Sequence, residues 1–439
     1  MKTPRPYQIE SIKAAIERNV LIADECGLGK TFQAVRAIDL FQETLRGKQR
    51  QLPVLIVCRK RARQQWIDEI NDEINRVSII LDHAFQTPIK EPIWIVTHYE
   101  SITRDIDKWQ KVSPYAAIIL DEAHVIKGSM SGRKTTQITA AMNKLRALRK
   151  IALTGTPIDR SAAEAWSILH WLYPERYRSY WRFFDQYANY QTVWIGKGRQ
   201  IRKPAAGTRD PVGFAQELSE FTFQRTKTQV LPQLPPKIEK TIMLDLEGRQ
   251  KEIYNTIDQC DDIECVLPTR TLFIPNQLTK ITLLQQTTSM PETISASAEL
   301  CSSAKMEWLK DYLADNPTIP MVIFTRFKLT QHYIENIIQL INREAKTLVG
   351  TIDSIGESLN LQWARVAIFY DLHWSSIKMS QAIDRIHRMD ITESKYIIYL
   401  VARNTIDKLI MQAIRAKWTE QELIQRYLHE HQHIVASKV

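Results

Sequence analysis

The 439-residue sequence predicts an α/β protein with two parallel-sheet lobes and a mainly helical stretch between them. Three observations carry this expectation. The chain is too long for one ordinary hydrophobic core, so two or three domains are expected. Strand-like and helix-like segments alternate in the first third and again in the last third, the pattern that builds parallel sheets covered by helices. Between them the pattern changes: residues 173–235 are aromatic and basic, and 241–302 read mainly as helix.

In chain order, Leu21 to Ala23 is a short apolar strand, and Phe32, Val35, Ile38 and Phe41 after it recur at helical spacing. The buried-strand run Val54 to Val57 precedes a helix with Trp66, Ile67, Ile70 and Ile74 on one face. Ile93 to Thr97, Ala117 to Leu120 and Ile151 to Thr154 are further strands. In the middle, Thr192 to Ile195, the turn Gly196-Lys197-Gly198 and Arg199 to Lys203 read as a basic β-hairpin. The proline-rich 231–236 reads as a stiff linker. Later strands are expected at Met321 to Thr325, Thr347 to Gly350, Val366 to Tyr370 and Tyr396 to Val401, with one helix between the first two. A helix from Thr405 to Lys417 follows, with an apolar stripe, and then a capped final helix from Thr419. The expected divisions are 1–172, 173–302, 303–418 and a tail at 419–439.

Composition narrows the function. Lys plus Arg number 59 against 49 Asp plus Glu, a net +10, which favours an anionic partner such as nucleic acid. The five cysteines are odd in number and scattered, so neither a disulfide framework nor a zinc site is expected. No apolar run approaches the roughly 18 residues that span a bilayer, and no apolar signal core follows Met1 to Tyr7. A soluble protein of a reducing, cytoplasmic compartment is expected.

The chemistry concentrates in a few stretches. Asp24 to Thr31 reads as a strand-to-helix loop able to wrap a polyphosphate, with Gly27 and Gly29 in the loop, Lys30 reaching the β- and γ-phosphates and the Thr31 hydroxyl on Mg²⁺. Asp24 stands where the strict motif has its first glycine. At the end of a buried strand, Asp121-Glu-Ala-His124 offers Asp121 for the Mg²⁺ shell and Glu122 to orient or deprotonate water. The hydroxyls of Thr154 and Thr156 could bond to His124 or Asp121 and report nucleotide state. Gln381, Arg385 and Arg388 fall at i, i+4 and i+7 of a helical stretch and suggest arginine fingers.

Taken in order, these motifs resemble the SNF2 family of superfamily 2 helicase-type ATPases, from about residue 5 to 417. Arg5-Pro-Tyr-Gln8 is similar to the family's adenine-reading segment, with Gln8 as base reader. The family's phosphate loop begins Asp-Glu, which accounts for Asp24. Val57 to Lys60, Phe223 to Lys227, Ser303 to Lys305, Gly356 to Leu361, Asp371 to Trp374 and Gln381 to Arg388 resemble its remaining motifs. The aromatic and basic stretch 183–227 looks most like the branch with annealing helicases and short phage or bacterial members. The resemblance implies two RecA-like lobes, ATP and Mg²⁺ as cofactors, Gly356 at the ATP site, Gln381 and His124 in coupling, and sequence-independent binding of duplex or branched DNA by a monomer, with a protein partner supplying specificity. Lys60, Lys197, Arg199, Arg202, Lys203, Arg225 and Lys227 are expected to contact DNA. The span from Phe327 to Gly350 is short for the family, so the second lobe is expected to lack one strand–helix unit. Three functions fit: a DNA translocase or remodeller, a strand-separating helicase, or an ATP switch that clamps DNA without moving.

Overall fold

The computed structural model describes residues 2–74, 76–83, 93–126, 136–155, 162–194, 200–260, 262–267, 270–294, 303–341, 344–355, 360–389, 391–416, 418, 422–424 and 426–427, without the side chains of 201, 203, 204 and 206. The chain divides into two compact units, Met1–Pro232 and Gln233–Val439.

The first unit is built on a seven-stranded sheet. Its strands are β1 (Val20–Ile22), β2 (Val54–Cys58), β3 (Ser78–Ile80), β4 (Trp94–His98), β5 (Tyr115–Leu120), β6 (Ala147–Leu153) and a two-residue edge strand, Thr222–Phe223. Every pairing is parallel, in the order β3-β4-β2-β5-β6-β1 followed by the edge strand. The runs Val-Leu-Ile-Val-Cys of β2 and Tyr-Ala-Ala-Ile-Ile-Leu of β5 have no polar face because helices cover both sides, and all their residues are buried. One side packs helices α1 (Pro6–Glu17), α2 (Lys30–Thr44) and α3 (Arg63–Ile74). The other packs residues of helices Tyr99–Arg104, Gln137–Lys144 and Ala162–Leu172.

The basic hairpin forms, from β7 (Ala188–Trp194) and β8 (Gln200–Thr208), antiparallel with Thr192 opposite Arg202. It follows helix Tyr180–Tyr187. Many aromatics of this region are core: Tyr177, Phe183, Tyr187, Phe214 and Phe221 form a small buried cluster with Leu169. The edge strand Thr222–Phe223 is β9, and the boundary between the two units, after Pro232, falls inside the expected middle region 173–302.

The second unit holds a five-stranded parallel sheet in the order β10-β16-β15-β13-β14, made of β10 (Lys237–Leu244), β13 (Met321–Thr325), β14 (Thr347–Thr351), β15 (Val366–Phe369) and β16 (Lys395–Ala402). A short antiparallel pair, β11 (Glu264–Val266) and β12 (Thr271–Phe273), lies between helices Gly248–Gln259 and Gln277–Ser289. Those helices share one core with helix Ile406–Ala416, while Ala304–Asp315 and Lys328–Ile341 cover the opposite face.

Two expectations are corrected here. Residues 237–294 are no separate insertion, because β10 runs beside β16 along its whole length and the two helices after it bury Ile253, Tyr254, Ile281 and Leu284 in the second core. β10 escaped the sequence reading because it is a half-solvated edge: Lys237, Glu239 and Lys240 break any apolar run. The four strands after residue 303 are those expected and β13 pairs directly with β14, but β10, from before residue 303, joins the same sheet as a fifth strand, so the sheet is not limited to those four. Of the tail, Leu423 and Tyr427 are buried in the same core, and Tyr427 donates to Asp258 Oδ1 at 2.8 Å. Among the described residues no helix is long and apolar enough to cross a membrane.

Candidate nucleotide-binding site

Because the first sheet is wholly parallel, its C-terminal strand ends share one edge, and β1, β2, β5 and β6 deliver their loops there. After β1 the chain turns through Gly27 (φ 88°) and Gly29 (φ 75°), both left-handed, and α2 starts at Lys30. A Cβ at either position would strain this turn. The helix N-terminus leaves backbone N–H donors and a positive dipole end at the loop. Lys30 is partly buried, and its Nζ donates to the Asp24 carbonyl at 2.7 Å. Burial opposes its charge, but Cys26, Glu122, Asp121 and Asp24 outweigh that and hold its pKa above the usual lysine value. Gly155, after β6, closes on the same spot: a Cβ there would lie 3.0 Å from Cys26 Sγ and 3.9 Å from Lys30 Nζ.

The carboxylates sit across the edge, at the end of β5. Asp121 Oδ2 accepts from Trp66 Nε1 at 2.9 Å, and Oδ1 accepts from the Glu122 backbone N–H at 3.0 Å. Tyr99 donates to the Asp121 carbonyl at 2.7 Å. Glu122 adopts φ 52°, a left-handed conformation that costs on the order of 1–3 kcal/mol and persists where surrounding structure imposes it. His124 Nδ1 stands 3.2 Å from Glu122 Oε2, and Arg59 Nη2 is 3.4 Å from His124 Nε2. The two neighbouring carboxyls are driven apart. Burial, then the Glu122 charge, push Asp121 above the usual range. Glu122 is desolvated too, but His124, Lys30 and Arg59 hold it below.

The remaining candidates divide. Thr31 lies half-buried in the first turn of α2, and Thr154 is buried with its N–H on Ile22. Gln8 is buried and already engaged: its Oε1 accepts from Arg5 N–H at 2.9 Å and its Nε2 donates to the Leu28 carbonyl at 3.1 Å, so it braces the phosphate loop. Lys60 is exposed just beyond β2. Arg225 and Lys227 were expected on DNA, and the structure places them on the phosphate loop instead. β9 runs parallel beside β1 and carries Arg225 to Asp24, whose Oδ2 it meets at 3.3 Å, and to Glu10 at 2.7 Å. Lys227 is buried, its N–H on Glu25 Oε2 at 2.7 Å and its Nζ 3.8 Å from Oε1. Arg202 is exposed and ion-paired with Asp185 at 2.8 Å. In the second unit, helix Ser376–Ile386 carries Gln381 and Arg385, both half-buried, but ends before Arg388, which therefore lies in the irregular stretch that follows and not on the same helical face. Thr156, Lys197, Arg199 and Gly356 lie outside the described residues, as does the Lys203 side chain.

Trp66 and Arg225 are the participants the sequence reading misassigned. Trp66 was placed on an apolar helix face, yet a buried indole N–H needs an acceptor, and that requirement was the available signal. Nothing local announced the Arg225 partners, 201 and 215 residues away.

Residues 8–305 match the SNF2-related domain, and 279–390 match the helicase conserved C-terminal domain. The human DNA annealing helicase and endonuclease ZRANB3 is 26% identical over 94% of this chain and 39% of that protein. An uncharacterized ATP-dependent helicase of Mycoplasma genitalium is 25% identical over 97% of this chain and 42% of that protein. The chain thus spans about two fifths of the length of these curated relatives. The Sulfolobus solfataricus SWI2/SNF2 ATPase core in complex with dsDNA is similar over 94% of this chain and 90% of that one, at 22% identity and a TM-score of 0.46. With its phosphate loop, its paired carboxylates and a domain match across most of its length, the chain belongs to the SNF2-related domain family.

Proposed function

We propose that the protein is a DNA-dependent ATPase of the translocase or remodeller type, hydrolysing ATP to move along or remodel duplex or branched DNA. The observation that carries this is the convergence of Lys30, Asp121 and Glu122 at one sheet edge, on a loop held open by two left-handed glycines. Lys30 keeps its proton and offers a fixed cation to the terminal phosphates. The loop N–H groups and the head of α2 cradle the rest. Glu122, held ionised by His124 and Arg59, is suited to orient or deprotonate the attacking water. Asp121 and the Thr31 hydroxyl are hard oxygen donors of the kind Mg²⁺ takes, and the Trp66 and Glu122 hydrogen bonds fix the carboxylate orientation such a ligand needs. When bound, Mg²⁺ supplies charge neutralisation at the phosphates. Arg385 and Arg388 are assigned as arginine fingers on the Gln381 to Arg388 motif, and exposed Lys60 as a DNA contact.

The printed name of one relative, a DNA annealing helicase and endonuclease, supports DNA as the polymer. The odd number and scattered positions of the cysteines support a reducing compartment, and we assign the protein to the cytoplasm of a prokaryotic cell or a phage-infected host. The test compares ATP turnover on duplex, single-stranded and forked DNA with a triplex-displacement assay. Duplex stimulation with displacement is expected. Stimulation without displacement would select the static clamp, and unwinding of forks would select the helicase. Arg385→Ala and Arg388→Ala are each expected to lose roughly 10³-fold in turnover, and near-normal rates in both would remove the finger assignment.

A further inference from the structure

The hairpin presents a face that the ATPase edge does not use. Along β7, Tyr190, Thr192 and Trp194 point to one side, and the cross-strand partners Arg202 and Gln200 share it. Trp194 is 66% exposed and Tyr190 38%. The Arg202 guanidinium lies 4.9 Å over the Tyr190 ring. Tyr190 stacks at 6.0 Å on Phe184, which meets Trp181, itself 44% exposed, at 5.6 Å. The Tyr190 ring is thus held between Arg202 and the helix Tyr180–Tyr187, and the Trp194 ring, on the same side of the strand, stands open. The stretch 188–208 has four Lys or Arg and no Asp or Glu. Asp185, on the neighbouring helix, pairs with Arg202 and fixes its plane against Tyr190.

We infer that this face is a stacking platform for single-stranded nucleic acid, with Trp194 as its principal base contact; the inference rests on the DNA-dependent reading above. Three features favour this occupant over a protein. The hairpin stretch carries four cations and no anion of its own, the Trp194 ring stands open, and Thr192 and Gln200 flank it with polar groups. Stacking also requires unpaired bases, because a duplex keeps its base faces covered. A platform for single strands next to a duplex-tracking motor directs the protein to forks, bubbles and ends.

The test uses the full chain and fluorescence anisotropy with a labelled oligo-dT and with a duplex of equal length. Trp194→Ala is expected to weaken oligo-dT binding roughly 5- to 100-fold and to change duplex affinity less than twofold. Trp194→Phe should retain most of the affinity, since a ring remains. Oligo-dT should quench the tryptophan fluorescence of the parent more than that of Trp194→Phe. Turnover without DNA should match the parent in both variants. Unchanged oligo-dT affinity in Trp194→Ala, while the parent binds duplex, would overturn the platform and leave this face to a protein contact. Equal losses on both DNAs would overturn it as well, by making Trp194 a general contact. If the parent binds neither DNA, the DNA-dependent reading itself fails.

Discussion

Each of the two sheets gathers a lysine and carboxylates at the C-terminal ends of its strands, and the two clusters have opposite characters. In the first unit, Lys30 faces Asp24, Asp121 and Glu122 on a glycine loop and stays partly accessible. In the second, Lys305 is 1% exposed, 2.7 Å from Asp407 and 3.9 Å from Asp371. There the carboxylates are engaged by protein: Asp407 accepts from Thr288 at 3.0 Å and from Ala402 N–H at 3.2 Å, and Asp371 accepts from Arg326 N–H at 3.0 Å. The second cluster closes a core, joining helix Gln277–Ser289 to β15 and β16. The difference lies in the backbone. Two left-handed glycines shape an open turn ahead of Lys30, whereas Lys305, also in the first turn of a helix, is sealed among buried side chains. Charge clustering alone therefore does not make a site; access does.

The sharpest way to break the comparison is to remove each lysine. We predict that Lys30→Ala abolishes ATP turnover, a loss of at least about 10³-fold, with little effect on unfolding. Lys305→Met should instead lose about 3–5 kcal/mol in denaturant unfolding, because it leaves two buried carboxylates without their cation. Equal stability losses in the two variants would erase the distinction.

A pH titration sharpens it further. His373, beside Asp371, accepts the Ser375 N–H on Nδ1 at 2.9 Å, and burial, with Lys378 and Arg326 nearby, pushes its pKa down from 6.5 to about 4. Above pH 6.5 it is neutral in both folded and unfolded states and costs nothing. As pH falls from 6.5 towards 4, the unfolded chain takes up a proton that the folded chain refuses, so stability falls by up to about 3 kcal/mol. Burial raises Asp371, which acts in the opposite sense, so the clean measurement is the difference between parent and His373→Gln. The variant should lose close to one proton's worth of slope across that window.

The smallest effect expected is at the latch behind the phosphate loop. Arg225→Ala strips Asp24 of its guanidinium but leaves the Gln33 bond, so about 2 kcal/mol of stability should be lost. KM for ATP should rise more than kcat falls, since the loop is braced from this side. Arg225→Lys should rescue stability only in part, because a single ammonium cannot span Asp24 and Glu10 as the forked guanidinium does. An unchanged KM in Arg225→Ala would show that the latch holds the fold and not the loop.

How much of this was legible before folding depends on the range of the contact. β2, β5, β13 and the helix Ile406–Ala416 were readable because their periodicity is local and strong. β10, with charged residues on an edge, and β9, only two residues long, offered no such signal. The placement of Arg388 on a shared helical face failed for a related reason: helical spacing continues on paper past Ile386, but His387 turns out of the helix and bonds the Pro235 carbonyl at 2.7 Å.

The phosphate loop, the Asp121–Glu122 pair and the alternation of strands and helices follow from residue order alone, since each needs only a short run with the right spacing to define its chemistry. Folding made the other decisions. It set Lys30 at an open edge and Lys305 in a sealed core, turned Arg225 and Lys227 from DNA candidates into anchors of the loop, and enlisted Trp66 to hold Asp121. These outcomes rest on carboxylates and carbonyls supplied by strand ends and helices far apart along the chain. Electrostatic and hydrogen-bonding partners are chosen by proximity in space, and no local period records which distant residue will arrive there.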